Sequence, residues 1–274
     1  MNDTGNLKAL RLSEIKLGQF INFKYAPPFF ISLILIIGHF SFGILEGYRA
    51  IILAISLSII TELTLSKMID RKWKNISSAY ITGISVSILI RSNYLWPFAL
   101  AAVISIMSKY VLRFRGRHIW NPSNFGISWI LAFLPASAAA LGIQWGNNIW
   151  PMLVIWTLGL FIVWRAKRFH ITITYVISFI LFSFLRSIIS GDAFLTELAP
   201  LTGPMYQLFI FFMITDPATT VKSRNGQIMV AFLVAFVEFI FRINQVIYAP
   251  FYALCLVGPV AMIIDLQLNK AKRI

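Results

Sequence analysis

Residues 50–74 read AIILAISLSIITELTLSKMIDRKWK, an apolar run that ends in a cluster of basic residues. The run from 50 to 66 is long enough for one helical membrane span, and Glu62 is its only charged residue. The basic cluster that follows is typical of a short cytoplasmic loop, because such loops resist translocation. Apolar segments and short gaps of this kind repeat along the chain and predict a protein that crosses a bilayer many times.

The charge of the gaps alternates along the chain. All but four of the 24 lysines and arginines lie in every second gap, and the exceptions are Arg49, Arg91, Arg186 and Arg242. Assigning the basic gaps to the inside predicts an even number of spans and a multi-pass protein of the inner (plasma) membrane with both termini in the cytoplasm.

Ten spans are predicted, each as a helix, because a segment in lipid must satisfy its own backbone polar groups. They lie at residues 28–46, 50–66, 78–92, 95–112, 119–141, 148–164, 171–189, 203–218, 226–243 and 246–266. The predicted fold class is therefore an all-α polytopic membrane protein. It has a cytoplasmic segment 1–27, five-helix units at 28–141 and 148–266, and a basic tail 267–274.

Composition excludes several other classes of protein. An apolar fraction of 58% with 12% charged residues is far from the ~25% charged residues of a soluble domain. The net charge of +14 is spread over loops without interleaved exposed aromatics, so the expected partner is the lipid bilayer and not nucleic acid. One cysteine, Cys255, excludes a disulfide or thiolate cluster within the chain, and the single span histidine His39 does not make a haem or metal site.

Two features suggest that the halves are repeats. Segments three and eight are short and interrupted, by Thr82, Gly83, Ser85 and Ser87 in one and by Asp216-Pro217 in the other. Segments five and ten open alike, Ile119-Trp120-Asn121-Pro122 and Ile247-Tyr248-Ala249-Pro250. Five spans per repeat would invert the second repeat in the membrane and place a site between the broken segments. The alternative is coincidence between two common helix starts.

The end of the eighth segment is a candidate ligand site. Pro217 removes a backbone donor and restricts Asp216, so the helix should break there. The break should leave the hydroxyls of Thr215, Thr219 and Thr220 free to bind a polar ligand, close to the cations Lys222 and Arg224. The alternative is a turn that merely ends a span, with Asp216 paired to Lys222 or Arg224.

Asparagines at the start of the fifth segment are further candidates. Asn121 can cap the helix ahead of Pro122, which is a sufficient structural role. Alternatively Asn121 and Asn124 line a cavity shared with Thr82 and Ser85 of the third segment.

Two glutamates, Glu62 and Glu238, lie inside apolar segments and not at a segment end. Glu238 is a candidate for a proton or cation step, because a charge at such depth is costly. The alternative is an ion pair with Arg242, four residues on. Glu62 is predicted to pair with Lys67 or Arg71 near the inner face, and the alternative is ion binding.

Two stretches carry a resemblance to a known family. Residues 211–220, FFMITDPATT, and residues 121–126, NPSNFG, after the lead-in 115–118, RGRH, are similar to the membrane subunits NqrB and RnfD of sodium-pumping NADH:quinone oxidoreductase and the Rnf complex. The lead-in and the compact length resemble most the UnbU-type branch, which is associated with enediyne biosynthesis. The resemblance implies a ten-helix inverted-repeat fold that binds flavin and passes electrons between redox partners, with quinone as a possible partner.

The resemblance also implies a position for covalent flavin. In the family a threonine that precedes Pro-Leu carries FMN through a phosphoester, and here Ala199 precedes Pro200-Leu201. Alanine cannot form that ester, and the nearby hydroxyls of Thr196 and Thr202 lack the matching neighbours. We therefore expect any flavin, FMN or riboflavin, to be bound non-covalently.

The sequence thus favours a flavin-linked membrane electron-transport subunit, and any enzyme activity would be that of a larger oxidoreductase complex. A non-redox transporter or channel for a small solute or cation on the same fold is the alternative. A membrane accessory protein of secondary metabolism is a third hypothesis.

Overall fold

The computed structural model describes residues 28–29, 32–33, 35–36, 40, 48–140 and 149–271. His39, the segment 1–27 and most of the first predicted span lie outside these residues. In the described part the helices are α1 (Tyr48–Ile69), α2 (Ser77–Leu89), α3 (Trp96–Val111), α4 (Pro122–Phe133), α5 (Ile149–Arg165), α6 (Phe169–Ser190), α7 (Phe194–Leu198), α8 (Pro204–Leu208), α9 (Arg224–Ile243) and α10 (Ala249–Ala271).

Four of these helices are long and apolar enough to cross a membrane: Tyr48–Ile69, Phe169–Ser190, Arg224–Ile243 and Ala249–Leu268. Shorter apolar helices lie between them, at Ser77–Leu89, Trp96–Val111, Met152–Arg165 and Pro204–Met213. Large apolar side chains are exposed at helical spacing along α6: Ile173, Ile177, Leu181, Phe184 and Ile188. Such a stripe is unfavourable in water and suits contact with lipid, so the structure is that of a helical membrane protein.

The helices pack in two similar groups. In the first, α1 contacts α2 and α3, and α3 contacts α4; in the second, α6 contacts α9, and α9 contacts α10. The groups meet where α4 contacts α10. Two glycines allow close approach in the first group. A Cβ at Gly83 would lie 2.6 Å from Cα of Ile55, and a Cβ at Gly126 would lie 2.6 Å from the carbonyl oxygen of Ala101.

The third and fifth segments are shorter than the sequence suggested. The predicted helix 119–141 covers only Pro122–Phe133 in the structure, and the third segment ends at Leu89. The residues that follow them form a short antiparallel pair, β1 (Ile90–Arg91) with β4 (Ala139–Ala140). Pro135 explains the early end of α4, because the residue before a proline is disfavoured in the helical conformation.

A tight hairpin shapes the basic loop after α3. Strands β2 (Arg113–Phe114) and β3 (Arg117–His118) pair across Arg115 and Gly116, whose φ angles are 51° and 77°. Two successive positive φ angles are the geometry of a type I′ turn, which matches the twist of the strands. The hairpin positions Arg117 and His118 at the start of α4.

The described basic loops lie at one end of the molecule, here called the basic end. Arg113 donates to Asp70 at 2.7 Å, which joins the loops after α1 and α3. Arg117 donates to the carbonyl of Ala218 at 3.1 Å, and Arg115 donates to the carbonyl of Leu266 at 2.6 Å. The hairpin therefore contacts both the segment before α9 and the end of α10.

Candidate functional site

The helix of the eighth segment changes geometry before it ends. After α8 the chain continues as a π-helix at Phe209–Met213, and the N–H of Ile214 donates to the carbonyl of Phe209 at 3.1 Å. Such wide turns are rare and frequently occur at functional sites. The helical segment ends before Asp216 and Pro217, so the predicted break is confirmed.

Asp216 organises a polar turn at this break, here called the Asp216 turn (residues 215–220). Its Oδ1 accepts the backbone N–H of Ala218 at 3.0 Å, and its Oδ2 accepts the hydroxyl of Thr219 at 2.9 Å. Oδ2 also accepts Nδ2 of Asn121 at 3.3 Å, and the Asp216 carbonyl accepts the hydroxyl of Thr220. These donors are neutral groups from two distant parts of the sequence, so the turn joins the fifth and eighth segments.

The threonine hydroxyls are engaged, contrary to the expectation that the break leaves them free. Thr215 donates to the carbonyl of Phe211 at 2.6 Å, while Thr219 and Thr220 donate to Asp216. Since a hydroxyl also has two acceptor lone pairs, each keeps acceptor capacity for a ligand that donates. The alternative pairing of Asp216 is also not what the structure has: among the described residues its carboxylate accepts from Asn121, Ala218 and Thr219 and forms no ion pair with Lys222 or Arg224.

Asn121 has the structural role that the sequence predicted and a second contact. Its Oδ1 accepts the backbone N–H of Asn124 at 3.1 Å and caps α4. Its Nδ2 points to the eighth segment, 3.5 Å from the carbonyl oxygen of Met213 and 3.3 Å from Asp216. One asparagine therefore both starts α4 and fixes the position of the Asp216 turn.

Asn124 lies deeper and connects α4 to α10. Its Nδ2 donates to the carbonyl of Phe251 at 3.0 Å, and Ser128 donates to the same carbonyl at 3.2 Å. The Oδ1 of Asn124 is buried and has no hydrogen-bond partner among the described residues. A buried acceptor without a partner is costly, and it marks a place where a donor from a ligand or a water molecule would be stabilised.

The hydroxyls of the third segment are not connected to this site. Thr82 is buried and donates to the carbonyl of Ser78 at 2.9 Å within α2, and Ser85 is half-buried. Among the described residues no hydrogen bond joins Thr82 or Ser85 to Asn121 or to Asp216. The structure thus brings together Asn121 with Thr215, Asp216, Thr219 and Thr220, and leaves the α2 hydroxyls apart.

Ala199 begins a 3₁₀ turn (Ala199–Thr202) between α7 and α8, and its side chain is exposed. Thr202 donates to the carbonyl of Ala199 at 2.6 Å, and Thr196 is exposed on α7. Beside them Glu197 is buried and forms an ion pair with Arg186 of α6.

Glu238 is almost fully buried, with 1% of its surface exposed, and forms the predicted ion pair. Arg242 Nε donates to Glu238 Oε1 at 3.0 Å. Two further partners were not predicted from the sequence: the hydroxyls of Tyr175 and Tyr206 both donate to the carboxylate, and Arg242 also contacts the Tyr206 hydroxyl. We call these four residues the Glu238 cluster; it joins α6, α8 and α9.

The prediction for Glu62 was wrong. Its carboxylate is buried and binds Lys109 Nζ and the hydroxyl of Tyr110 at 2.8 Å, both on α3. The predicted partners, Lys67 and Arg71, are nearer to Glu62 in sequence, but the carboxylate binds Lys109 and Tyr110 instead. Lys109 also lies 3.4 Å from Ser78 of α2, so this Glu62 cluster ties three helices together.

His118, the last residue of the RGRH lead-in, lies near the Asp216 turn but was not predicted as a site residue. Burial lowers the pKa of its imidazole, while Asp216 opposes that shift. The ring is therefore expected to be neutral at pH 7. Its position follows from the hairpin, which places β3 directly before Asn121.

Part of the chain is similar to a subunit of a known redox complex, although no family model matches the chain. Over 105 residues it is 30% identical to the D subunit of the ion-translocating oxidoreductase complex of Cronobacter sakazakii. Over a stretch of equal length it is 27% identical to the same subunit of Citrobacter koseri. The match spans 38% of this chain and 29% of the length of each relative.

Proposed function

We propose that the chain is an integral membrane subunit of an electron-transport complex, with a flavin bound non-covalently near the Asp216 turn. The observation that carries the proposal is the contact between Asn121 and Asp216. It joins the two sequence stretches that resemble the family, which are far apart along the chain. The local similarity to the D subunit of an ion-translocating oxidoreductase complex supports the same function.

The proposed fold has ten helices in two inverted repeats. The packing supports this: α1 lies against α3 as α6 lies against α9, and α3 lies against α4 as α9 lies against α10. These are the pairs that an inverted repeat of spans two to five and seven to ten would match. In this fold the protein lies in the inner (plasma) membrane, and its basic end faces the cytoplasm.

The residues around the Asp216 turn fit a non-covalent flavin better than a covalent one. Asn124 Oδ1 is a buried acceptor that an N–H donor of a ligand would satisfy, and Thr219 and Thr220 keep acceptor lone pairs. At the other end of the eighth segment, the exposed Ala199 has no hydroxyl for a phosphoester. The polar groups therefore suit hydrogen bonding to a heteroaromatic ring, FMN or riboflavin.

When bound, flavin would supply one- and two-electron transfer chemistry. The protein's part is to hold and orient the ring. Asn121 and Asp216 fix the turn, the buried Asn124 amide sets the orientation, and apolar residues such as Phe211 and Phe251 exclude water. In this proposal other subunits of the complex supply and remove the electrons, and quinone is a candidate acceptor.

Ion coupling at Glu238 is a separate part of the proposal. Both carboxylate oxygens are bonded within the Glu238 cluster, so a proton or cation would reach the carboxylate only after Arg242 moves. The Glu238→Gln variant, which removes the negative charge but keeps the shape of the side chain, tests this. If coupling uses the carboxylate, ion-dependent activity of the complex is lost while the spectrum of bound flavin stays unchanged.

The test for flavin uses the purified chain in mild detergent. Its visible absorption spectrum is recorded, the protein is precipitated with acid, and the supernatant and pellet are compared. We expect yellow colour in the supernatant and a loss of it in Asn121→Ala. Asn244→Ala is the matched control, because Asn244 lies at the exposed end of α9 and only donates to the carbonyl of Ile240. Protein that stays colourless after addition of both FMN and riboflavin contradicts the flavin proposal, and colour in the pellet contradicts non-covalent binding.

Ala199 stands where the family has the threonine that carries FMN. This substitution favours one alternative, a transporter or channel for a small solute or cation on the same fold. That alternative predicts colourless protein together with solute or cation flux into proteoliposomes. The UnbU-type hypothesis, an accessory protein of secondary metabolism, predicts a biosynthetic gene cluster around the gene, whereas the electron-transport proposal predicts neighbouring genes for other redox subunits.

A further inference from the structure

A cavity of about 580 Å³ opens at the basic end, and no residue of the Asp216 turn lines it. It lies between the end of α5, the start of α6 and the start of α9. Four cationic side chains line it, from two loops that are distant in sequence: Arg165, Lys167, Lys222 and Arg224. We call it the basic cavity.

The walls of the basic cavity are held by specific contacts. His170 of α6 and Gln227 of α9 are hydrogen-bonded to each other, with 2.5 Å between Nε2 and Oε1, and both line the cavity. Gln227 also donates to the carbonyl of Val221 at 2.8 Å. The start of α9 and the loop before it are therefore fixed relative to α6 without the contribution of a ligand.

The end of α5 sets the position of Lys167 in the basic cavity. Lys167 has a φ of 56°, and the N–H of Arg168 donates to the carbonyl of Val163 at 3.0 Å. This is the geometry in which a helix ends with one left-handed residue, a position usually taken by glycine. A lysine there carries a conformational cost that glycine would not, and it brings a charge to the cavity where glycine would bring none.

The electrostatics of the cavity favour an anion. No aspartate or glutamate is among the described residues that line it. Four like charges around one concave surface repel one another and focus a positive potential. The first turn of α9 adds to this potential, because Ser223 caps the helix and its amino end carries partial positive charge. Positive-inside topology requires basic loops but does not require two of them to converge on a cavity.

From this geometry we infer that the basic cavity binds a phosphate group. A phosphate offers several acceptor oxygens for the cationic groups of Lys167, Lys222 and Arg224. The volume lies in the range of ligand sites. Trp164 and Phe169 also line the cavity and provide apolar surface for the part of the ligand attached to the phosphate. The phosphate can come from a soluble phosphate ester or from the headgroup of an anionic lipid at the same membrane face. The inference does not depend on the proposed flavin.

The test measures the thermal unfolding of the whole purified chain in phosphate-free buffer. One arm adds inorganic phosphate, FMN or riboflavin; the other compares nanodiscs of phosphatidylglycerol with nanodiscs of phosphatidylcholine. Stabilisation by inorganic phosphate, and more by FMN than by riboflavin, assigns the site to a soluble phosphate. Stabilisation only by phosphatidylglycerol assigns it to a lipid headgroup. A Tm that rises by less than about 1 °C in every arm overturns the inference, since site-specific binding well above Kd should shift it by several degrees.

A double variant, Lys222→Gln with Arg224→Gln, locates the effect. We expect at least a tenfold loss of affinity for the anion, because each removed group deletes a charge-assisted contact. The matched control is Arg71→Gln with Lys72→Gln, which removes two charges from another basic loop outside the cavity. Equal loss of affinity in both double variants overturns the inference. Lys222→Gln alone serves as a second variant if the double variant does not fold.

Discussion

The Glu238 cluster predicts a large and specific cost for one substitution. Arg242→Leu would leave a carboxylate that is 1% exposed without its cation, with only the hydroxyls of Tyr175 and Tyr206 as donors. Removing one partner of a buried ion pair typically costs about 3–5 kcal/mol, because the other charge stays buried and uncompensated. We expect a loss of stability in that range for Arg242→Leu.

The assay is a double-mutant cycle on unfolding in mixed micelles with a rising fraction of denaturing detergent. Adding Glu238→Gln to Arg242→Leu removes the stranded charge and should restore about 2 kcal/mol or more. Arg49→Leu is the control, because Arg49 is exposed and its loss should change stability by less than about 0.5 kcal/mol. If Arg242→Leu costs no more than the control, or if the double variant is as unstable as the single one, the reasoning from a buried ion pair is refuted.

Three further predictions concern other parts of the structure. Asn121→Ala should cost about 1 kcal/mol or more in thermal unfolding, because the cap of α4 is lost, whereas Asn121→Ser should retain most of the stability. Gly83→Ala should cost about 1–3 kcal/mol, because its Cβ would meet the α1 backbone at 2.6 Å, whereas Gly258→Ala, with its nearest neighbour at 3.7 Å, should be tolerated. Arg113 and Lys74 hold the pKa of Asp70 well below its usual range. The stability that Asp70 contributes is therefore present above about pH 4 and lost as the pH falls further. Asp70→Asn should reduce that loss when unfolding is measured over a series of acidic pH values.

Local patterns allowed the correct predictions. Glu238 and Arg242 lie four residues apart on one helix, and Asn121 precedes Pro122 at a helix start, so both contacts could be predicted from spacing alone. The apolar segments predicted the helices of the described part for the same reason, since length and composition decide what can span a bilayer.

Contacts between distant segments could not be predicted in this way. The partner of Glu62 is Lys109, 47 residues away, and no rule of spacing chooses it over the nearby Lys67. Tyr175 and Tyr206 fit the apolar pattern of their spans, and only the placement of three helices brings their hydroxyls to the carboxylate. The short pair of β1 and β4 also leaves no sequence pattern, because each strand has two residues.

The length of the fifth helix could have been predicted more closely. The predicted span 119–141 runs through Pro135, although the residue before a proline is disfavoured in a helix. The apolar composition continues past this proline and favours a longer helix. A helix that ends before Pro135 would have nearly the observed length of α4.

The two buried ion pairs have different consequences for synthesis of the chain. Glu238 and Arg242 share one helix, so both charges reach the membrane together and already neutralise each other. Glu62 is made 47 residues before Lys109, and at roughly 5–20 residues per second that separation lasts about 2–9 s. During this time α1 carries an acid without its final partner. The first helices of the chain are therefore expected to remain beside the insertion machinery until α3 emerges, and to enter the lipid as a group.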